Sequence, residues 1–180
     1  AVQRRLERQQ AALCELLQRT ASSGLIALES LCIEEGRAVW ECRCVLHVLE
    51  HDGNLTDACM LAMACAMTRM TLPTVQLNEE DAIAVVTVTS NVSNPVIVGH
   101  LTYGVTFGIL SGHLIIDPTA DEESLLSTQF TVLLDPEGSF AGLHKPGGAP
   151  LPEEVIYRSV DIAQSQLVRL KSMIPSSESA

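Results

Sequence analysis

From Val39 to Glu50 the chain alternates with period two. Trp40, Cys42, Cys44, Leu46 and Val48 fall on one face, and Glu41, Arg43 and His47 on the other. The pattern predicts a half-buried strand. Asp52-Gly53 follows as a turn, since glycine takes a positive φ without strain. Asn54 reads as a helix N-cap, and Asp57 favours the positive helix end three residues on. Residues 54–71 then run almost wholly apolar (ACMLAMACAM), which predicts a helix buried on most sides and stopped before Pro73. Within it Met60, Met63, Met67 and Met70 share helical spacing and read as core packing.

Residues 2–19 predict an amphipathic helix with Leu6, Leu13, Leu16 and Leu17 on its apolar stripe, ended by Ser22-Ser23-Gly24. Glu34-Glu35-Gly36-Arg37 reads as a turn into the alternating strand, and Asn78 to Asp81 as a polar connection. Further strands are predicted at 82–89, 96–101, 103–110, 113–117, 127–134 and 139–144. Ser111-Gly112 suits a tight hairpin, and Asp135-Pro136-Glu137-Gly138 a second turn. A last helix is predicted over 153–173, where Val155, Ile156, Val160, Ile162, Ala163, Leu167 and Leu170 keep a helical period. Residues 174–180 read as a disordered tail. The fold class is α+β (mixed α/β), one domain over 1–173 with a mixed sheet packed against helices.

Composition narrows the core. Hydrophobic residues make up 47% of the 180 and aromatics only 3%, so the interior is aliphatic. No apolar run reaches the about 18 residues of a membrane span, and the charged start does not resemble a signal peptide. The six cysteines read mainly as small buried hydrophobes, Cys42 and Cys44 on the strand, Cys59 and Cys65 in the apolar helix. Cys42, Cys44, His47 and His51 offer the one ligand-like spacing, but period two turns His47 away from the thiols, so no metal is expected. His100 and His113 sit among strand residues and read as packed or hydrogen-bonded. Two matches to the glycosylation pattern, at Asn54 and Asn91, carry little weight beside a start with no secretory signal.

Charge limits what the chain can bind alone. Its net charge is −11. Arg4, Arg5, Arg8 and Arg19 against Glu7 and Glu15 leave the first twenty residues positive, so the remainder is more acidic than the whole. A nucleic-acid module normally presents a basic face. Any RNA contact here needs positive charge from partners.

The HDGN-x-x-DA run at 51–58, with ESLCI at 29–33 and IDPTADEE at 116–123, resembles the RNase PH family. Within that family it is similar to the non-catalytic ring subunits of the RNA exosome, in their eukaryotic autoantigen-type and archaeal forms. The resemblance runs from about residue 2 to about residue 172. It implies an RNase PH-like fold, and since a block of strands precedes the first helix in the family, a domain that is N-terminally incomplete here. Active members hold phosphate on a Gly-Thr-Arg-like loop beginning where Gly53 falls. Leu55 then stands where the family has Thr and Thr56 where it has Arg, while Asp57 adds a repelling charge. The resemblance therefore implies no catalytic residues and no cofactor. Asp117, Asp121, Glu122 and Glu123 form an acidic run with Pro118 inside it, read as a solvated turn entering the next element rather than a catalytic cluster. Arg4, Arg5 and Arg8 read first as a solvated helix face, and alternatively as RNA-binding residues facing a ring's channel. The implied partners are other RNase PH-like subunits in a hexameric ring, cap subunits, an associated hydrolytic nuclease and RNA, with no membrane. The implied location is nucleus, nucleolus and cytoplasm. Two alternatives are an active phosphate-dependent 3′-to-5′ exoribonuclease with an atypical site, and a scaffold protein of the same fold outside RNA metabolism.

Overall fold

The fold is taken from a computed structural model, which describes backbone residues 2–80 and 83–174 and side chains from 10 to 75 and from 94 to 174. The chain opens with α1 (Val2–Thr20), a wide helical turn at Ala21–Leu25 and a tight one at Leu28–Leu31. A short ribbon of β1 (Cys32–Glu34) and β2 (Ala38–Val39) precedes α2 (Leu55–Thr68). A long antiparallel hairpin follows, β3 (Thr71–Glu80) and β4 (Ile83–Pro95). The remainder comprises β5 (Tyr103–Leu110), β6 (His113–Ile116), α3 (Ala120–Leu125), β7 (Thr128–Leu134), β8 (Phe140–His144) and α4 (Glu153–Met173).

The four-stranded sheet β6-β5-β7-β8 organises the molecule, every pairing antiparallel. Its strands arise where period-two patterning predicts them, and its hairpin from Ser111 (φ 48°) and Gly112 (φ 82°), a two-residue loop with both φ positive. One face is wholly apolar. Tyr103, Val105 and Phe107 of β5 and Phe130, Val132 and Leu134 of β7 pack there with Ala163 and Leu167 of α4. Phe107 and Phe130 are directly opposed and stack with ring centroids 5.6 Å apart. Because α4 carries its apolar positions at helical spacing, it lies on this face, and Val155, Val160, Ile162, Leu170 and Ile174 complete the contact. Ile174, read from sequence as the start of the tail, belongs to this packing; 175–180 lie outside the described residues.

The opposite face carries small and polar residues, which let α2 come close. A Cβ on Gly104 would overlap the Met60 sulfur, and one on Gly108 the Leu126 side chain. On α2, Cys59, Met60, Met63, Ala64 and Met67 are buried, while Ala58, Ala62 and Ala66 form an exposed stripe. Met63 and Met67 meet Leu25, with Leu17 of α1, Ile26, Met70, Val98 and Leu101 around them in a second core. The result is three layers, α4, sheet, then α2 and α3, with α1 packed against α2.

Four expectations fail, each for a local reason. The alternating segment 39–50 pairs only at Ala38–Val39, and Trp40 N–H donates to the Leu31 carbonyl at 2.8 Å. Beyond that, residues 41–50 make no backbone hydrogen bond within the described residues, and Cys42 and Cys44 are exposed, not buried. A period-two pattern makes a strand only where a neighbour accepts its ladder. Residues 96–101 join no sheet; they fold back on residues 24–27 through one bridge, Ile26 to Val98. Gly24 (φ 101°) and Gly99 allow that approach, and a Cβ on Gly99 would overlap the Gly24 carbonyl oxygen. Asn78, Glu79 and Glu80 continue β3 instead of forming a connection, paired with Val85, Ala84 and Ile83. Finally, His100 and His113 are exposed, and neither imidazole makes a hydrogen bond among the described residues.

Candidate functional site

The segments that stood out in the sequence meet at the N-terminal end of α2. Gly53 (φ 92°) lets the loop press against the turn that opens α3, and a Cβ there would overlap the Pro118 carbonyl oxygen and the Ala120 nitrogen. Ala120 N–H donates to the Asp52 carbonyl at 3.1 Å. Thr119 caps α3 through a capping box with Glu122, so Asp121, Glu122 and Glu123 occupy its first turn, as expected of the acidic run.

Asn54 does not cap α2 with its side chain. It sits in the left-handed region (φ 42°, ψ 49°) and is buried. Its backbone N–H donates to Glu123 Oε1 at 2.9 Å. Its Nδ2 donates twice, to Asp57 Oδ2 at 2.9 Å and to Asp117 Oδ1 at 2.6 Å. A single side-chain amide thus holds two carboxylates from segments sixty residues apart. Oδ1 of the same amide is buried without a partner.

Asp57 joins this loop to the sheet. Its Oδ2 accepts the Thr106 backbone N–H at 2.9 Å and its Oδ1 the Thr106 hydroxyl at 2.6 Å. With that proton committed, the 2.8 Å contact between Thr106 Oγ1 and Thr131 Oγ1 has Thr131 as donor. Asp117 (φ 53°) donates its own N–H to the Thr106 carbonyl at 3.1 Å. Gln129 Nε2 donates to Glu123 Oε1 at 3.0 Å. Burial pushes the Asp57 carboxyl above its ordinary value, against the lowering by Thr106 and Asn54, and the Asp117 charge adds to the rise.

The electrostatics oppose an anionic ligand. Asp57, Asp117 and Glu123 converge on Asn54, the first two on its side-chain amide and Glu123 on its backbone N–H, and among the described residues no cation pairs with Asp57 or Asp117. A phosphate group needs the reverse, several N–H donors and a guanidinium aimed at it. Leu55 and Thr56, the positions following Asn54, supply no charge. What the arrangement can do is fasten the start of α2 and the start of α3 to the middle of β5.

Of the residues singled out from sequence, the structure brings together Gly53, Asn54, Asp57, Asp117 and Glu123. Arg4, Arg5 and Arg8 fall within α1, and their side chains lie outside the described residues. Cys42, Cys44, His47 and His51 are all exposed; the His51 Nδ1 accepts the Gly53 N–H at 3.3 Å. Thr106, Thr131 and Gln129 were missed. A signal for Thr106 existed: it interrupts a strand, YGVTFGIL, whose other residues are apolar or glycine, and a polar side chain buried there needs a partner.

Comparison with known proteins gives two family matches. Residues 2–73 match domain 1 of the 3′ exoribonuclease family, and residues 100–166 match domain 2. The chain is 32% identical over 152 residues to an exosome complex component Rrp42 of Methanosarcina mazei, a match covering 84% of this chain and 53% of that protein. It is 30% identical over 156 residues to exosome complex component RRP45B of Arabidopsis thaliana, covering 84% of this chain and 36% of that one. The chain thus spans about half the length, or less, of these relatives. In fold it is similar to an archaeal exosome core subunit at a TM-score of 0.71 and 24% identity, covering 92% of this chain and 64% of the other.

Proposed function

The chain belongs to the 3′ exoribonuclease family of RNase PH-like proteins, and from that premise we propose that it serves as a catalytically silent ring subunit of an RNA exosome. The observation that carries the proposal is the loop after Gly53. Where an active member needs a guanidinium and converging N–H donors, this chain offers Asn54, Leu55, Thr56 and Asp57, with Asp57 and Asp117 tied to one amide. A phosphate dianion approaching there meets carboxylates. The likeness to Rrp42 and RRP45 proteins, both named as exosome complex components, supports the placement.

In this reading the subunit's work is structural. It completes a hexameric ring with other RNase PH-like chains, supports cap subunits and helps guide RNA to a hydrolytic nuclease elsewhere in the complex. Arg4, Arg5 and Arg8, on the first two turns of α1, are its RNA contacts along the channel, in nucleus, nucleolus and cytoplasm. Backbone contacts of that kind are sequence-independent and weaken with salt.

The decisive experiment is affinity purification of the tagged protein in gentle salt with mass spectrometry of what accompanies it. Near-stoichiometric RNase PH-like and cap subunits are the expected result. Recovery alone, or with unrelated proteins, would overturn the ring reading. Silence is tested separately, by incubating the purified chain with RNA and inorganic phosphate. No nucleoside diphosphate is expected, and phosphate-dependent release would show an active site.

A further inference from the structure

The chain contains a single Asp-Gly pair, Asp52-Gly53, and the fold compels glycine at its second position. Gly53 has φ 92°, and a Cβ there would overlap the Pro118 carbonyl oxygen and the Ala120 nitrogen. Glycine also leaves the nitrogen of residue 53 unshielded by any side chain of its own. That nitrogen is the atom placed to attack the preceding aspartate side chain and close a five-membered ring, a reaction within one short stretch of chain.

Both ends of the peptide unit that joins the pair are engaged. The Gly53 N–H donates to His51 Nδ1 at 3.3 Å. An imidazole nitrogen that accepts this bond is aimed at the proton that ring closure must remove. At the other end, the Ala120 N–H donates to the Asp52 carbonyl at 3.1 Å. A donor on that oxygen polarises the same peptide and makes its N–H more acidic. Turn geometry alone does not arrange this, since the donor arrives from the start of α3 and the base from the residue before the pair.

We propose that Asp52-Gly53 is a self-modification site, where aspartate converts through a succinimide to isoaspartate with His51 as the base. The Gly53 nitrogen forms a bond to Cγ of Asp52 in its carboxylic acid form, and its proton passes to His51 Nδ1. The Cγ–OH bond then breaks, and the hydroxyl leaves as water with the proton returned by the imidazolium. Water adds back to the ring at Cγ, restoring aspartate, or at the main-chain carbonyl, leaving isoaspartate. The net change is an isomerisation, so no oxidant or cofactor enters. In isoaspartate the main chain runs through Cγ and is one carbon longer. Gly53 already presses on Pro118 and Ala120, so the added atom has no room and slackens the joint between α2 and α3. The inference does not depend on the ring reading.

The test is to hold the purified 180-residue chain at neutral pH and body temperature for weeks, both folded and in urea. Peptide mapping by mass spectrometry reads the succinimide as the loss of one water, and enzymatic carboxyl methylation counts the isoaspartate. Isoaspartate at position 52 is expected in the folded chain, forming about tenfold more slowly in His51→Ala. That factor lies below the usual range of acid–base catalysis, in keeping with a contact of 3.3 Å. His51→Gln can accept the N–H but cannot carry the proton away, so it should be as slow as His51→Ala. In urea the contact is lost, and all three chains should convert at one rate. Asp52→Glu, whose longer side chain closes a larger ring, should give no product. Circular dichroism checks that each variant keeps the fold. The proposal is overturned if only the unfolded chain converts, if isoaspartate forms at another aspartate instead, or if either His51 variant matches the wild type when folded.

Discussion

Residues 41–50 and 52–57 are neighbours in sequence and opposites in the fold. The second stretch is tied to distant segments at several points: Asp52 to Ala120, Asn54 to Glu123 and Asp117, Asp57 to Thr106, with Asn54 also holding Asp57. The first makes no backbone hydrogen bond among the described residues. The difference is not one of local propensity, since the alternating stretch has the stronger secondary-structure pattern. It is one of partners. The polar loop meets a sheet whose facing residues are Thr106 and Thr131, whereas among the described residues the alternating segment meets no strand past the β1–β2 ribbon. Pattern proposes an element, and a neighbour with matching groups makes it.

Substitutions at the two stretches should therefore diverge. The largest effect is expected from Asp57→Ala, which strands the Thr106 hydroxyl and N–H and one Asn54 donor; urea unfolding should show a loss of about 3 kcal/mol. A loss below about 0.5 kcal/mol would mean that the network contributes nothing. Next comes Gly53→Ala, which meets both a positive φ and the Pro118–Ala120 backbone, with a loss of about 2 kcal/mol expected.

Asp57→Asn sharpens the comparison through pH. The folded-state pKa of Asp57 is raised, so its contribution is full below the ordinary carboxylate value of 3.8 and declines as pH rises through the folded value. Asparagine does not titrate, so the gap between wild type and Asp57→Asn should be widest below 3.8 and narrow toward neutrality. Unfolding curves across that range read it directly, and a gap that widens toward neutrality would contradict the desolvation argument. The smallest effect belongs to the open stretch. At dilute concentration Val45→Lys should change stability by less than about 0.5 kcal/mol, because Val45 is 61% exposed. A larger loss would show that 41–50 is packed in solution.

Much of the closed site was legible beforehand. Asp-Gly before an apolar run announces a turn entering a helix, and the acidic run around Pro118 reads as a solvated turn entering the next element, which the structure shows to be the short helix α3. The roles were not legible. Asn54 looked like a cap because caps are local, yet its amide serves Asp57 and Asp117, and the second lies across the fold. Asp57 looked like a helix-dipole residue, although its strongest ties run to Thr106. Thr131 gave no local cue, since its partner is set by cross-strand register.

By itself the sequence determined the periodic elements: the sheet strands from Tyr103 to His144, the apolar helix α2, the last helix over Glu153–Met173 and the glycine turns at 53, 112 and 138. Each depends on interactions within a few residues or on a single face of one element. The tertiary structure alone decided that 41–50 makes no ladder among the described residues, that 96–101 folds onto 24–27, and that one buried amide joins α2 to the turn before α3. Those outcomes depend on which groups arrive opposite one another, and hydrogen bonds between distant segments leave no period in the chain that makes them.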